Sequence, residues 1–369
     1  MCWSSNSLKY LSGEHMKTQK ISLAIALAFI SGTTFAAPTL YGVLDLSANF
    51  ADKDAGHTLT TINDGASVSS NNSYIGIKGS EKLTDTLSVV YDAQWTVNTD
   101  GDGTDLGQRD RYLGLKHEQL GTLSFGKVNT FLKRLGGVDL FDNYAGNQLD
   151  IQNTFTGENR VNNAVQYQSP TFNAAAGKIN VGVQLFQGED AKIVSSGNAV
   201  GNSFGDAISA SVTYDNKDAG FNLGLAYDSA VPSRWIGASN AWAETNTIRA
   251  TGTYNIANLS LRALVQRAEI DEASTASSNV ATVSAIDDEL GFALGAVYKI
   301  ADTAWSVKGQ YQQGTTSYKT SASDVKAQQI AAGVDYQYNS NAKAYAFLAQ
   351  NKLVDDKNTV GGLGFQYKF

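Results

Sequence analysis

The stretch that most restricts the fold is the last nine residues, Gly361 to Phe369. Leu363, Phe365, Tyr367 and Phe369 share one face of an extended strand; Gly362, Gly364, Gln366 and Lys368 share the other. On a soluble domain such an apolar face at a terminus is an open edge that invites aggregation. In a bilayer the same pattern is required. Backbone groups must be paired around a closed ring while one face of each strand meets hydrocarbon and the other meets water.

The same period of two recurs along the chain. In Leu87 to Val97 the odd positions are apolar and the even ones mostly polar. Similar faces are Ile179/Val181/Val183/Leu185, Phe221/Leu223/Leu225/Tyr227 and Ile330/Ala332/Val334/Tyr336/Tyr338. The alternation predicts strands near 40–51, 68–80, 85–98, 108–117, 120–129, 160–169, 178–188, 205–215, 219–229, 244–255, 258–269, 287–299, 303–314, 326–338, 342–351 and 359–369. The expected fold is therefore all-β, a 16-stranded antiparallel transmembrane β-barrel, the even strand number being the one such barrels use. Connections alternate between brief turns, as at 216–218 and 339–341, and long stretches near 52–67, 130–159, 189–204, 230–243 and 271–286. Tyr167, Tyr214, Tyr254, Tyr298 and Tyr338 end strands that enter short turns and would form the periplasmic girdle, with Trp95, Tyr227 and Tyr311 near the opposite rim. Pro170 and Pro232 are expected in connections, because proline cannot donate to a ladder. A soluble β-sandwich would also alternate, but with its polar face outward.

Charged residues are only 17% of the chain, and Gly is abundant at 35 residues. No run of about 18 apolar residues follows residue 36, which argues against helical spans. Residues 16–36 read as an export signal: a basic Met16 to Lys20, an apolar Ile21 to Ile30, and Thr34-Phe35-Ala36 for cleavage. Residues 1–15 then read as an upstream extension, and 37–369 as the mature barrel. Loss of Lys9, Lys17, Lys20 and Glu14 moves the formal charge from −7 to about −9. The single Cys2 leaves with the same segment, so the exported part holds no disulfide. The acidic balance argues against a nucleic-acid partner. His57 and His117 sit beside no nucleophile and orienting group, so an enzyme is not expected, nor a cofactor or metal site. Asp100 to Asp105 resembles a calcium loop but lacks its downstream glutamate, and reads as a solvated turn.

Several motifs in order resemble one family. They are Tyr41-Gly42, Tyr74-Ile75-Gly76-Ile77-Lys78-Gly79, Arg109-x-x-Tyr112-Leu113-Gly114-Leu115-Lys116, Leu120 to Lys127, Arg160 to Tyr167, and the terminal Phe369. Together they are similar to the Gram-negative general outer-membrane porins, trimeric sixteen-stranded channels. The resemblance implies an outer-membrane homotrimer for passive diffusion of ions and small hydrophilic solutes. Its partners would be lipopolysaccharide and, through Phe369, the barrel-assembly machinery. It further implies that a long third loop, here 130–159, folds into the pore, with its carboxylates Asp139, Asp142, Asp150 and Glu158 facing wall arginines Arg109 and Arg160. By strand phase Arg111 should join them, two residues from Arg109. Arg249 and Arg262 are further candidates, each flanked by lipid-type residues. Three features depart from the family pattern. Tyr74 stands where a wall arginine is common, Asp45 lacks a nearby lysine, and Lys133-Arg134 precedes the loop glycines. The acidic net charge leans the channel weakly towards cations. The alternative is a barrel acting mainly as a structural or adhesive surface protein.

Overall fold

Leu223, Leu225 and Tyr227 are 48%, 46% and 46% exposed, while the intervening Ala226 and Asp228 are buried at 2% and 1%. This inverted polarity holds around the molecule: Gln184, Gln266, Gln312 and Arg249 are buried, and Leu113, Phe125, Leu294, Ile330 and Leu363 are exposed. A water-soluble sandwich would hide the second set and expose the first. The arrangement suits a wall between lipid and water.

The computed structural model describes residues 37–53, 64–104, 106–272 and 278–369. The predicted signal and extension (1–36), His57 and Asp105 lie outside the described residues. The strands are β1 (Thr39–Lys53), β2 (Gly65–Ser70), β3 (Tyr74–Lys82), β4 (Leu87–Thr96), β5 (Gly107–His117), β6 (Gly121–Asn129), β7 (Arg160–Gln168), β8 (Phe172–Ala174) and β9 (Gly177–Phe186). They continue as β10 (Ala207–Asn216), β11 (Phe221–Trp235), β12 (Ala241–Ile256), β13 (Leu259–Glu272), β14 (Ile286–Lys299), β15 (Trp305–Tyr318), β16 (Val325–Gln337), β17 (Ala342–Leu353) and β18 (Asp356–Lys368). Both β2 and β3 pair with β1, and both β7 and β8 pair with β9. Each of these pairs is one wall strand with a break, so the eighteen segments make a closed antiparallel barrel of sixteen strands.

The first break falls at Asn71 to Ser73, where Asn72 takes a left-handed φ of 58°. The second contains Pro170, which cannot donate to the ladder. Pro232 corrects the sequence reading. It lies inside β11, opposite Glu244, because pairing slips between Asp228 and Val231 around Ala230 at φ 52°. The bulge lets the hairpin continue past the proline, so much of the long connection expected at 230–243 is strand.

The last strand closes the ring on the first, from Val43 opposite Lys368 to Lys53 opposite Asn358. Gly42 and Phe369 exchange backbone hydrogen bonds of 3.0 and 3.1 Å. A Cβ at Gly42 would stand 2.5 Å from Tyr74 O and 2.7 Å from Phe369 Cζ, so the seam needs glycine there. On the exposed face Tyr254 stacks on Phe221 at 4.7 Å, and Tyr298 and Tyr338 are exposed near the short turns.

Candidate functional site

The connection between β6 and β7 is rich in glycine and polar residues and makes only short turns. It has a helical turn at Phe131–Arg134, capped by Thr130 through Lys133 N, and 3-10 turns at Leu135–Val138 and Ile151–Asn153. Between these, Asn143, Ala145 and Asn147 all adopt positive φ. With only single turns of regular structure of its own, the segment is held by side chains from the strands.

Arg249 of β12 is wholly buried and grips both ends of the connection. Its Nη1 lies 2.6 Å from Glu158 Oε1 and donates to Leu132 O at 3.2 Å. Its Nε and Nη2 bond Gln266 Oε1 at 2.8 and 2.6 Å, and Gln266 Nε2 donates to Thr156 O at 2.8 Å. Arg262 of β13 donates to Gly137 O at 2.7 Å. On β15, Gln310 bonds both Leu140 N, at 2.6 Å, and Asp139 Oδ1, at 2.7 Å, while Lys308 donates to Tyr144 Oη at 2.8 Å. Tyr144 stacks on Tyr345 of β17 at 4.3 Å between ring centroids. Gly146 N donates to Asn71 Oδ1 at 2.8 Å, at the break between β2 and β3. Asn72 Nδ2 donates to Asn143 Oδ1 at 2.7 Å, so Asn71 and Asn72 together link the broken strand to the connecting segment.

A cavity of about 790 Å³ is bordered by Arg109 and Arg160, expected on the wall, and by Lys133, Asp139, Asp142, Asp150 and Glu158, expected on the loop. Arg109 donates to Asn72 and to Gln94, and its guanidinium lies 4.6 Å from the centroid of the Tyr74 ring. The tyrosine that replaces an expected arginine therefore supports a neighbouring one by cation–π contact. Arg160 pairs with Asp110 at 2.6 Å. Lys133 lies 3.8 Å from Glu158. Asp139 is a brace more than an open charge: it accepts Phe141 N at 3.1 Å and Ile151 N at 2.8 Å. Asp142 is exposed, and Asp150 caps its turn through Gln152 N at 2.8 Å.

The structure does not bring Arg111 or Arg134 to this cavity. Pairing between β4 and β5 slips between Ala93 and Trp95, which breaks the two-residue phase that put Arg111 beside Arg109. Arg111 instead packs 5.4 Å from the centroid of Trp95. Arg134 donates to Gln166 Oε1 at 2.6 Å and lies over Phe131. Asp45, which lacked a lysine in sequence, accepts Tyr345 Oη at 2.5 Å and Gln366 Nε2 at 2.6 Å. Lys308, Gln310 and Tyr345 were missed by sequence reasoning. Their inward phase is legible in β15 and β17, but not the segment they meet.

Burial first, then mutual repulsion, raises the carboxyls of Asp139 and Asp150; Asp142 keeps part of its surface open but is surrounded closely enough by protein, and by Asp139, to be raised as well. Asp139 and Asp150 are pushed up to about 7 and Asp142 to about 6. Their oxygens lie within 4.8 Å of one another. At neutral pH the group therefore carries only part of its formal charge.

A family model described as Gram-negative porin matches residues 23–356. Among solved structures the chain is similar to an anion-selective porin from Comamonas acidovorans, at 20% identity and a TM-score of 0.67, over 90% of this chain and 99% of that one. It is similar to OmpF of Salmonella typhi, solved with daunomycin, at 16% identity and a TM-score of 0.64, over 90% and 97%. It is also similar to the trimer form of in-vitro folded OmpT of Vibrio cholerae, at 18% identity and a TM-score of 0.61, over 90% and 99%. No curated protein matches it. At these identities the structural likeness bears on the fold alone.

Proposed function

The chain belongs to the Gram-negative porin family, and from that premise we propose that it is a water-filled channel for passive diffusion of ions and small hydrophilic solutes. Its place is the outer membrane, and family and fold point to a channel and not an enzyme. The observation that carries the reading is the cavity where Arg109 and Arg160 from the wall meet Asp142 and Glu158 from the 130–159 connection. We take that connection as the constriction, since its bonds run to inward-facing residues on β9 to β17. Opposed charge rows in water, flanked by low-dielectric lipid, focus a field that sorts ions by sign and orients polar solutes.

Weak cation preference fits the lining. Five carboxylates, Asp45, Asp139, Asp142, Asp150 and Glu158, face four basic groups, Arg109, Lys133, Arg160 and Lys368. The formal excess is one charge, and half-protonation of Asp139 and Asp150 near pH 7 cancels it, so the preference depends on these carboxyls ionising above that pH. A homotrimer is supported by the trimer form of the similar OmpT. Lipopolysaccharide contact, delivery by a signal at 16–36 and recognition of the Phe369 strand by the barrel-assembly machinery complete the reading.

The test is single-channel conductance and reversal potential of the refolded barrel in a planar bilayer under a salt gradient. Three equal steps with a weakly cation-selective potential are expected. A folded barrel with no conductance would remove the channel and favour a structural or adhesive surface protein.

A further inference from the structure

A second cavity, of about 280 Å³, lies at the end of the barrel that carries the long connections. Lys127 stands near the end of β6, Arg160 begins β7 and Arg234 is near the end of β11; Lys133 and Glu158 border the cavity from the connecting segment. Four cations thus face one carboxylate, on a chain whose formal net charge is −7. The concentration runs against composition.

The ion pairs leave a defined surplus. Glu158 is bound by Arg249 at 2.6 Å and approached by Lys133 at 3.8 Å. Arg160 is matched by Asp110 at 2.6 Å. Lys127 and Arg234 have only neutral acceptors among the described residues. Lys127 Nζ donates to Asn162 Oδ1 at 2.8 Å, and Arg234 Nη2 to Gln152 O at 2.6 Å and Asn153 Oδ1 at 3.0 Å. An ammonium has three donors and a guanidinium five, so both retain donors for a ligand.

The two cations are also held in place. Arg234 is fixed through one nitrogen, and its neighbour Trp235 is buried with Nε1 donating to Thr245 Oγ1 at 2.9 Å. The Lys127 partner Asn162 is itself tied to Asn198 by 2.6 Å. Lys127 has Arg160 and Arg111 as like-charged neighbours, a repulsion that an anion relieves, while the charge nearest Arg234 is Asp150 of the connecting segment. Preorganised, charge-capable donors lower the cost of binding it. The remaining lining is mostly neutral and polar, including Gln108, Asn159 and Ser196, and suits the hydroxyls of a small solute more than a hydrocarbon tail.

We infer that this cavity is a binding subsite for a small hydrophilic oxyanion, a carboxylate or phosphate group, held between Lys127 and Arg234. As a station for a permeating solute it rests on the channel reading; as a binding site it does not. In a weakly cation-selective pore it would keep anionic solutes from being excluded, by concentrating them beside the constriction.

Isothermal titration calorimetry on the folded barrel in detergent tests the inference, with inorganic phosphate and citrate as probes and glucose as the uncharged control. We expect one competing site per chain for both anions, no heat with glucose, and affinity that falls steeply with added salt. Arg234→Gln and Lys127→Gln should each weaken binding by about tenfold. Arg267→Gln, an exposed arginine elsewhere, should leave it unchanged. Circular dichroism and heat-modifiable migration on gels check that each variant folds. Absence of binding in the native barrel, or binding that both variants retain, would overturn the subsite. Conductance is measured separately: binding without conduction sinks the channel reading alone, and conduction without binding sinks the subsite alone.

Discussion

Arg249 Nη1 and Glu158 Oε1 stand 2.6 Å apart, with the arginine side chain wholly buried and the glutamate 7% exposed. The pair joins a wall strand to the last residues of the connecting segment, and the same guanidinium bonds Leu132 O near its start. One side chain therefore fixes both ends of a segment with almost no regular structure. Arg249→Ala leaves a buried carboxylate with only Lys133, 3.8 Å away, as a charged partner, which costs about 3–5 kcal/mol. The expected result is a lower unfolding temperature in detergent with larger, noisier single-channel steps. Arg249→Lys should restore only part of the loss, because an ammonium cannot span Glu158 and Gln266 together. Native-like stability and steps in Arg249→Ala would show that the other bonds suffice.

The loop carboxyls set a pH window. Asp139 and Asp150 titrate near about 7 and Asp142 near about 6, all above the ordinary value of 3.8. A carboxyl whose folded value is raised favours the folded state below its unfolded value and loses that advantage as pH rises through the folded one. Negative charge in the cavity appears over the same interval. Cation preference should therefore grow from about pH 5 to about pH 8, while the seating of the connection weakens. Reversal potentials across that range check the first effect, and protease sensitivity the second. A flat profile, or one falling with pH, would remove these groups from control of selectivity.

Arg109 and Arg160 border the cavity and Arg111 does not, so the three are predicted to act differently. Arg109→Gln and Arg160→Gln each remove a positive charge facing Asp142, and the cation-to-anion permeability ratio should rise by about two- to fivefold. Arg111→Gln should leave the ratio unchanged. A shift of similar size in Arg111→Gln would mean that long-range charge matters more than position on the wall.

The wall was legible in sequence because a two-residue period has only two phases, and lipid on one side leaves no ambiguity about which phase is apolar. β5, for example, was expected at 108–117 and is Gly107–His117. Bulges defeat this reading, since one extra residue reverses every assignment beyond it. A plain period of two sets Arg111 beside Arg109 and Pro232 in a connection, whereas a bulge separates the two arginines and β11 continues through Pro232 around the one at Ala230. The acidic residues of 130–159 were found by composition and resemblance, but their roles were not. Whether Asp139 faces water or braces Phe141 and Ile151 depends on backbone turns with no period at all. Arg249 and Arg262 lay on the polar phase and were noticed there; only the fold reveals that both reach the connection.

Tyr345 carries two separable contributions to the same anchorage. Its hydroxyl donates to Asp45 Oδ1 at 2.5 Å and accepts Asn71 Nδ2 at 2.7 Å, while its ring stacks on Tyr144. Tyr345→Phe keeps the stack and removes the hydroxyl, leaving Asp45 to Gln366 and Asn71, for a loss of about 1–3 kcal/mol. Tyr345→Ala removes both and opens a cavity beside Phe347, for about 3–5 kcal/mol. Because Tyr144 belongs to the connecting segment, only the alanine variant should also alter single-channel conductance. Denaturant unfolding and bilayer recordings on the pair separate the two terms. A phenylalanine variant as disruptive as alanine would assign the anchorage to the Asp45–Tyr345–Asn71 hydrogen bonds, and an alanine variant with native conductance would free the segment's position from the Tyr144 stack.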